Sequence, residues 1–223
     1  MKEVGRVKTG GHFSDRIAAV VLAAGRSSRM GTLNKMFVDV DGQPMVQRVV
    51  ETMGRSAVGE VVVVTGHDSE ALRRAVLSAR VTRPVRFVHN PEYAEGLGTS
   101  VRAGAGAIDG CRAGVFALGD MPLVRTAHVD ALILLFRSEG EPSIVVPTFR
   151  GRRGNPILWG ERHFTEMKKL SGDTGARHLL ENHAASVAFC EVDDAGVLLD
   201  VDTPEALAAV RGRGATAPSL RPD

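Results

Sequence analysis

Three stretches of this chain carry residue types suited to holding a nucleoside triphosphate. The first runs through Leu22, Ala23, Ala24, Gly25, Arg26, Ser27, Ser28, Arg29, Met30 and Gly31, with Lys35 four residues beyond. Small residues let backbone N–H groups approach a phosphate closely, and Ala23 to Ser28 offers a run of them. Arg29 and Lys35 supply cations for the phosphate oxygens. The pattern is not the Walker form, because G-x-x-x-x-G-K-[ST] occurs nowhere in the chain. A strand-to-helix turn with solvated cations is the plainer alternative. The combination of Ala-Ala-Gly with Arg29, Gly31 and Lys35 favours the phosphate reading.

The second stretch is Leu118-Gly119-Asp120-Met121-Pro122. Asp120 follows an apolar run, and Pro122 stops the strand from continuing. A Mg²⁺ ion is commonly held by one or two carboxylates together with substrate phosphates, and Asp120 suits that task. A turn aspartate is the competing role. In the third stretch, Leu199 to Pro204, Asp200 and Asp202 alternate, so both face the same way if the segment is extended. One of them is expected to complete a Mg²⁺ site with Asp120, and Asp202 is preferred over Asp200. Against this, Asp202 or Thr203 is also well placed to cap a helix opening at Pro204.

These residues need a scaffold that gathers them. Apolar runs predict strands over Ile17–Ala23, Glu60–Thr65, Val85–His89, Gly114–Gly119 and Ser143–Pro147, with later strands over Asn155–Trp159 and Val187–Val192. Val61 to Val64 shows no polar alternation, as befits a parallel strand buried on both faces. Helical patterns lie over Pro44–Met53, Ser69–Ser78, Gly98–Ala107, Thr126–Arg137, Thr174–Asn182 and Pro204–Arg211. Pro44 near a helix start fits its missing N–H. This alternation predicts a doubly wound, mostly parallel three-layer α/β/α sheet, in which ligands bind at the carboxyl ends of the strands. All three stretches follow strands or precede a helix there.

Bulk properties narrow the classes. The chain has 223 residues, enough for one domain with a full core. Residues 1–16 and 212–223 are expected to be mobile ends around a domain spanning 17–211. The net charge is only +2 and aromatic content is low, so a nucleic-acid track is not expected. No apolar stretch is long enough to cross a bilayer, and the N-terminus lacks the apolar region of a secretory signal. Cys111 and Cys190 stand alone, consistent with reduced thiols in a cytoplasmic protein. His67, His89, His128, His163, His178 and His183 show no zinc spacing such as H-E-x-x-H. Gly104-Ala105-Gly106 lacks the third glycine of a dinucleotide fingerprint and falls within a helical pattern.

Leu22 to Gly31 with Lys35, followed by Gly119 to Pro122, resembles the MobA-like nucleotidyltransferases. Four further stretches resemble the molybdenum cofactor cytidylyltransferase branch: Asn90 to Ser100, Gly154-Asn155-Pro156, Leu170 to Arg177, and Asp200 to Pro204. The likeness runs from about Ile17 to Arg211. It implies that the terminal phosphate of molybdopterin attacks the α-phosphorus of CTP and that pyrophosphate leaves. Mg²⁺ would then sit on Asp120, with Lys35 stabilising charge at the α-phosphate and Arg29 the departing pyrophosphate. Such catalysis is mostly positioning and charge neutralisation and needs no nucleophilic side chain.

In the guanylyl-transferring branch a glycine stands at the position of Ala24. The Ala24 methyl fills space and restricts φ, which suits a smaller pyrimidine. Thr65, Asn90, Thr99 and Ser100 lie after strands or at a helix start, where each either reads base or ribose or caps locally. The likeness places Asn155, Gly172, Asp173, Thr174 and Arg177 on the side of the second substrate, with Arg150, Arg152 and Arg153 as assistants or a solvated loop. A molybdenum dehydrogenase or a cofactor-insertion chaperone is the expected protein partner. Alternatives are a related transferase with another nucleotide or acceptor, such as a methylerythritol phosphate, a non-catalytic carrier of the finished cofactor, and a nicotinamide or flavin oxidoreductase. Joint presence of Lys35 and Asp120 favours an enzyme over a carrier, and the oxidoreductase lacks its dinucleotide loop.

Overall fold

Strand β1 (Ser14–Ala23) occupies the middle of the sheet because nothing along Ile17 to Ala23 needs water. The computed structural model describes residues 14–26, 34–138, 143–174 and 176–211. After β1 come the two-residue strands β2 (Asp39–Val40) and β3 (Gln43–Pro44), helix α1 (Met45–Arg55), β4 (Glu60–Thr65), α2 (Ser69–Leu77), β5 (Val85–His89) and α3 (Leu97–Ala107). They are followed by β6 (Cys111–Leu118), α4 (Thr126–Phe136), β7 (Ile144–Phe149), β8 (Arg152–Arg153), β9 (Ile157–Gly160) and α5 (Phe164–Met167). Helix α6 (Arg177–Asn182), β10 (Val187–Glu191) and α7 (Pro204–Val210) complete the described chain.

The main sheet has the order β10-β7-β9-β6-β1-β4-β5, with β8 pairing on β7. β1 is parallel to β4 and β6, β4 to β5, and β7 to β10. β9 runs antiparallel between β6 and β7, and β8 is antiparallel to β7. The sheet is therefore mostly parallel, as expected. Alternate residues of β1 and β4 supply two cores. Ala19, Val21, Val61 and Val63 pack under α1, α2 and α4, whereas Val20, Leu22, Val62 and Val64 pack under α3, α5 and α6. Burial on both faces explains the unbroken Val61 to Val64 run. No helix among the described residues is long and apolar enough to cross a membrane.

Several boundaries differ from the sequence expectation. β1 starts at Ser14 rather than Ile17, with an irregular register between those residues that apolar periodicity does not reveal. β6 begins at Cys111, and β7 continues past Pro147 to Phe149. The helical pattern over Thr174–Asn182 divides into a 3-10 turn at Gly172–Thr174 and helix α6. Pro44 is the N-cap of α1 and lies in β3. Gly104 is a packing glycine inside α3, where an added Cβ would sit 2.5 Å from Val20 Cγ1.

The chain runs outward from β1 to β4 and β5, then returns to β6 on the other side of β1. The carboxyl ends of β1 and β6 thus flank the point where strand order reverses, the usual ligand crevice of such sheets.

Candidate active site

β1 delivers Leu22, Ala23 and Ala24 buried, and the chain emerges at Gly25 and Arg26. Among the described residues, an added Cβ at Gly25 would meet nothing within 4 Å. The Arg26 guanidinium stands 5.5 Å from the centre of the Tyr93 ring, a cation–π distance. Ser27, Ser28 and Arg29 lie outside the described residues. The chain resumes at Asn34, whose side chain caps a 3-10 turn over Lys35–Phe37 by accepting from Met36 N. Met36 is buried beneath Gly119, where a Cβ would lie 2.9 Å from its sulfur and 3.1 Å from Leu22 O. That close packing directs Lys35 toward the end of β6.

Gly119 N donates to Leu22 O at 2.9 Å, so Asp120 begins beside the end of β1. Asp120 O accepts from Val201 N at 2.9 Å. Val201 is fully buried with Val40, Met45 and Val210, which pins the segment bearing Asp200 and Asp202. Thr203, not Asp202, caps α7 by accepting from Ala206 N. Asp202 is thereby left for other work, and its Oδ1 accepts from Lys35 Nζ. Lys35 Nζ also lies 2.5 Å from Asp120 Oδ2. Asp200 is exposed and contributes its charge to Asp120 without contacting Lys35 in this way.

The electrostatics follow from this crowding. Burial lowers the Lys35 pKa, but Asp120 and Asp202 outweigh it, and the ammonium is held above its ordinary value. Burial pushes the Asp120 carboxyl up, against the pull of the Lys35 charge, and Asp202 and Asp200 add to the push. Oδ1 of Asp120 is buried and has no hydrogen-bond partner among the described residues. Two convergent carboxylates with one unsatisfied oxygen form a hard-oxygen donor set that fits a divalent cation such as Mg²⁺.

Next to this cluster lies a cleft of about 880 Å³. Leu22, Phe116, Leu118 and Trp159 form its apolar floor, and Leu97, Val101 and Met167 form walls. Arg153, Asn155, Asp173, His178, Glu181 and Asp200 supply its polar groups. Of the expected acceptor residues, Asn155 and Asp173 line the cleft, while only the backbone of Thr174 and Arg177 is described. Gly172 and Asp173 press on Gly96, where a Cβ would fall 2.4 Å from Asp173 Oδ1. Gly96 has φ +120°, so both geometry and space require glycine there. Of the three arginines considered, Arg153 lines the cleft with its guanidinium 5.0 Å from the centre of the Phe189 ring, whereas Arg150 stacks on Phe149 and its backbone N–H donates to Glu191.

Thr65, Asn90, Thr99 and Ser100 form a buried network at the ends of β4 and β5. Asn90 Nδ2 donates to Thr99 Oγ1 at 2.9 Å and to Ser100 Oγ at 3.1 Å, and Asn90 Oδ1 accepts from Glu92 N. Thr99 donates to Glu92 O and Gly96 O, and Asn90 N donates to Thr65 O. These are bonds of the capping kind, and they fix the loop between Asn90 and α3.

Two features escaped the sequence reading. Cleft residues Leu97, Val101, Trp159 and Met167 look like core positions by periodicity, and His178 and Glu181 carry no motif. His128, Asp193 and Asp194 also bring ligand-type atoms within 4.8 Å of one another. The Arg125 guanidinium bridges both aspartates, and its backbone N–H donates to His128 Nδ1. This is an ion-paired clamp between the start of α4 and the segment leading to Asp202.

Comparison with known proteins identifies the family and the fold. The MobA-like NTP transferase domain matches residues 19–187. The purine catabolism protein PucB of Bacillus subtilis is 33% identical over 204 residues, spanning 89% of this chain and 97% of its own. The molybdenum cofactor cytidylyltransferase of Escherichia coli is 30% identical over 196 residues, spanning 85% of this chain and 92% of its own. The crystal structure of Rv0371c from Mycobacterium tuberculosis aligns with a TM-score of 0.75 at 25% identity, over 88% of this chain and 97% of that one.

Proposed function

The chain belongs to the MobA-like NTP transferase family and is a nucleotidyltransferase, and from that premise we propose that it transfers CMP from CTP to the terminal phosphate of a molybdopterin-type acceptor. The observation that carries the site assignment is Lys35 Nζ seated between Asp120 and Asp202 beside the end of β1. Asp120 and Asp202 would hold Mg²⁺, and the orphaned Asp120 Oδ1 gives that ion a waiting ligand. A bound Mg²⁺ neutralises phosphate charge and favours alignment of the α-phosphate.

The chain's own residues do the rest. Backbone N–H groups from Ala23 to Ser28 cradle the triphosphate. Lys35 stabilises the negative charge that grows on the α-phosphate oxygens, and Arg29 that on pyrophosphate. An acceptor phosphate oxygen forms a bond to the α-phosphorus as the bond to the bridging oxygen of pyrophosphate breaks. Asn155, Gly172, Asp173, Thr174 and Arg177 orient the acceptor in the cleft, whose volume suits a molecule of cofactor size. The Ala24 methyl and the 30% likeness to an enzyme named a cytidylyltransferase support CTP. A cytoplasmic setting, with delivery to a molybdenum dehydrogenase or an insertion chaperone, belongs to the same reading.

The test is pyrophosphate release with Mg²⁺ and molybdopterin, comparing CTP, GTP and ATP. Release with CTP alone is expected, and Asp120→Asn should lower it by about 100-fold or more with the fold retained. Release with GTP instead would overturn the base assignment, and near-normal turnover of Asp120→Asn would remove Asp120 from the site.

A further inference from the structure

Asp120 and Asp202 arrive from distant parts of the chain and converge on one point, with the charge of Asp200 close enough to act on Asp120. Carboxylates so crowded repel unless a positive charge lies between them. Among the described residues that charge is Lys35 Nζ, 2.5 Å from Asp120 Oδ2 and bonded to Asp202 Oδ1. A divalent cation binding both groups needs oxygens at about 2.0–2.6 Å. It would therefore claim nearly the same point as the ammonium, and two cations cannot share it. The ammonium also leaves Asp120 Oδ1 unsatisfied, which a cation of higher coordination number need not do.

We propose that Lys35 is an internal placeholder for the divalent cation: its ammonium holds the Asp120–Asp202 seat while nucleotide is absent, and cedes it to the metal when a triphosphate offers the lysine a new anionic partner. The inference rests on the assignment of Asp120 and Asp202 as metal ligands. It goes beyond that assignment by making Lys35 a competitor of the metal as well as a phosphate ligand. Metal binding without nucleotide must break two ion pairs of Lys35, whereas with nucleotide those pairs are exchanged for phosphate contacts. The two ligands then promote each other's binding, and by linkage the effect is reciprocal. The arrangement also keeps the carboxylates at metal-binding separation while no metal is present.

The test is a titration of nucleotide-free full-length protein with Mn²⁺, read by the loss of the free Mn²⁺ signal in electron paramagnetic resonance. Lys35→Met keeps the length of the side chain and removes its charge, and it should bind Mn²⁺ about 10-fold more tightly than the unaltered protein. Lys35→Arg keeps the charge and should stay near the unaltered affinity. Adding Asp120→Asn to Lys35→Met should abolish the gain. In the unaltered protein, a CTP analogue with a non-cleavable α–β bridge should tighten Mn²⁺ binding beyond the analogue's own affinity for the ion, and this reading needs no variant to fold. Equal or weaker Mn²⁺ binding by Lys35→Met, with Asp120→Asn still abolishing it, would overturn the placeholder and leave the metal seat standing. Mn²⁺ binding indifferent to Asp120→Asn in every background would overturn the metal assignment and the placeholder together.

Discussion

Acid should loosen the wall of the cleft through one buried histidine. His163 precedes α5 and is buried, with Nε2 2.9 Å from Ser143 Oγ and its ring edge-on to His183 at 4.7 Å between centres. Burial lowers its pKa to about 4 from 6.5, the His183 and Arg162 charges adding to the shift while Glu166 opposes it. Between those two values the unfolded chain takes up a proton that the folded chain refuses. Stability contributed by neutral His163 is therefore complete above about pH 6.5 and is lost as the pH falls toward 4. At about 1.36 kcal/mol per unit, the loss across this window is about 3 kcal/mol. For a domain of this size that corresponds to roughly 6–12 °C in melting temperature. The assay is thermal unfolding at pH 7 and pH 4 of the unaltered protein and of His163→Gln, which retains a partner for Ser143. Other carboxylates weaken both proteins in acid, so the difference between their two losses isolates His163. The unaltered protein should lose about 3 kcal/mol more than the variant. Parallel losses would refute the reasoning, because they would mean that the folded state accommodates the protonated ring.

Two further expectations concern the segment that carries Asp202. Gly154→Ala places a Cβ 2.3 Å from Val197 O and should cost about 1–3 kcal/mol, with turnover falling more than stability alone explains; denaturant titration and the pyrophosphate assay together check this. Arg125→Met removes the guanidinium bridging Asp193 and Asp194 and should speed hydrogen exchange at the Val201 amide, which bonds Asp120 O, while β4 amides keep their protection. Unchanged exchange at Val201 would show that the clamp does not hold this segment.

The legible parts of the fold were those where a single side-chain property repeats. Val61 to Val64 betrayed a strand covered on both faces because four apolar residues in a row have no other economical place. β2, β3 and β8 are two residues long and exist only through their pairing, so no local pattern marks them. Helix α5 spans four residues and is likewise set by tertiary packing. At the site, Lys35 stood out through the small residues and the Arg29-Met30-Gly31 pattern that precede it, and Asp120 because it follows a strand that Pro122 stops. The choice between Asp200 and Asp202 was open by alternation alone. The bond from Val201 N to Asp120 O and the capping role of Thr203 distinguish their placements. The clamp of Arg125, His128, Asp193 and Asp194 had no sequence signal, because its charges lie on both sides of β7 to β10. The walls of the cleft were hidden for a different reason: Trp159 and Met167 present buried apolar surface whether they face a ligand or a neighbour.

The ion-paired trio of Lys35, Asp120 and Asp202 also has a bearing on biosynthesis of the protein itself. During translation Leu22 and Lys35 leave the ribosome first, Asp120 follows 85 residues after Lys35, and Asp202 only 167 residues after Lys35. The segment that closes the trio is locked only when Val201 enters the small apolar cluster with Val210 of α7. A nascent chain therefore passes through a long interval in which Lys35 and Asp120 are already made but their third partner is not, and chemistry at this point waits for Asp202 to emerge.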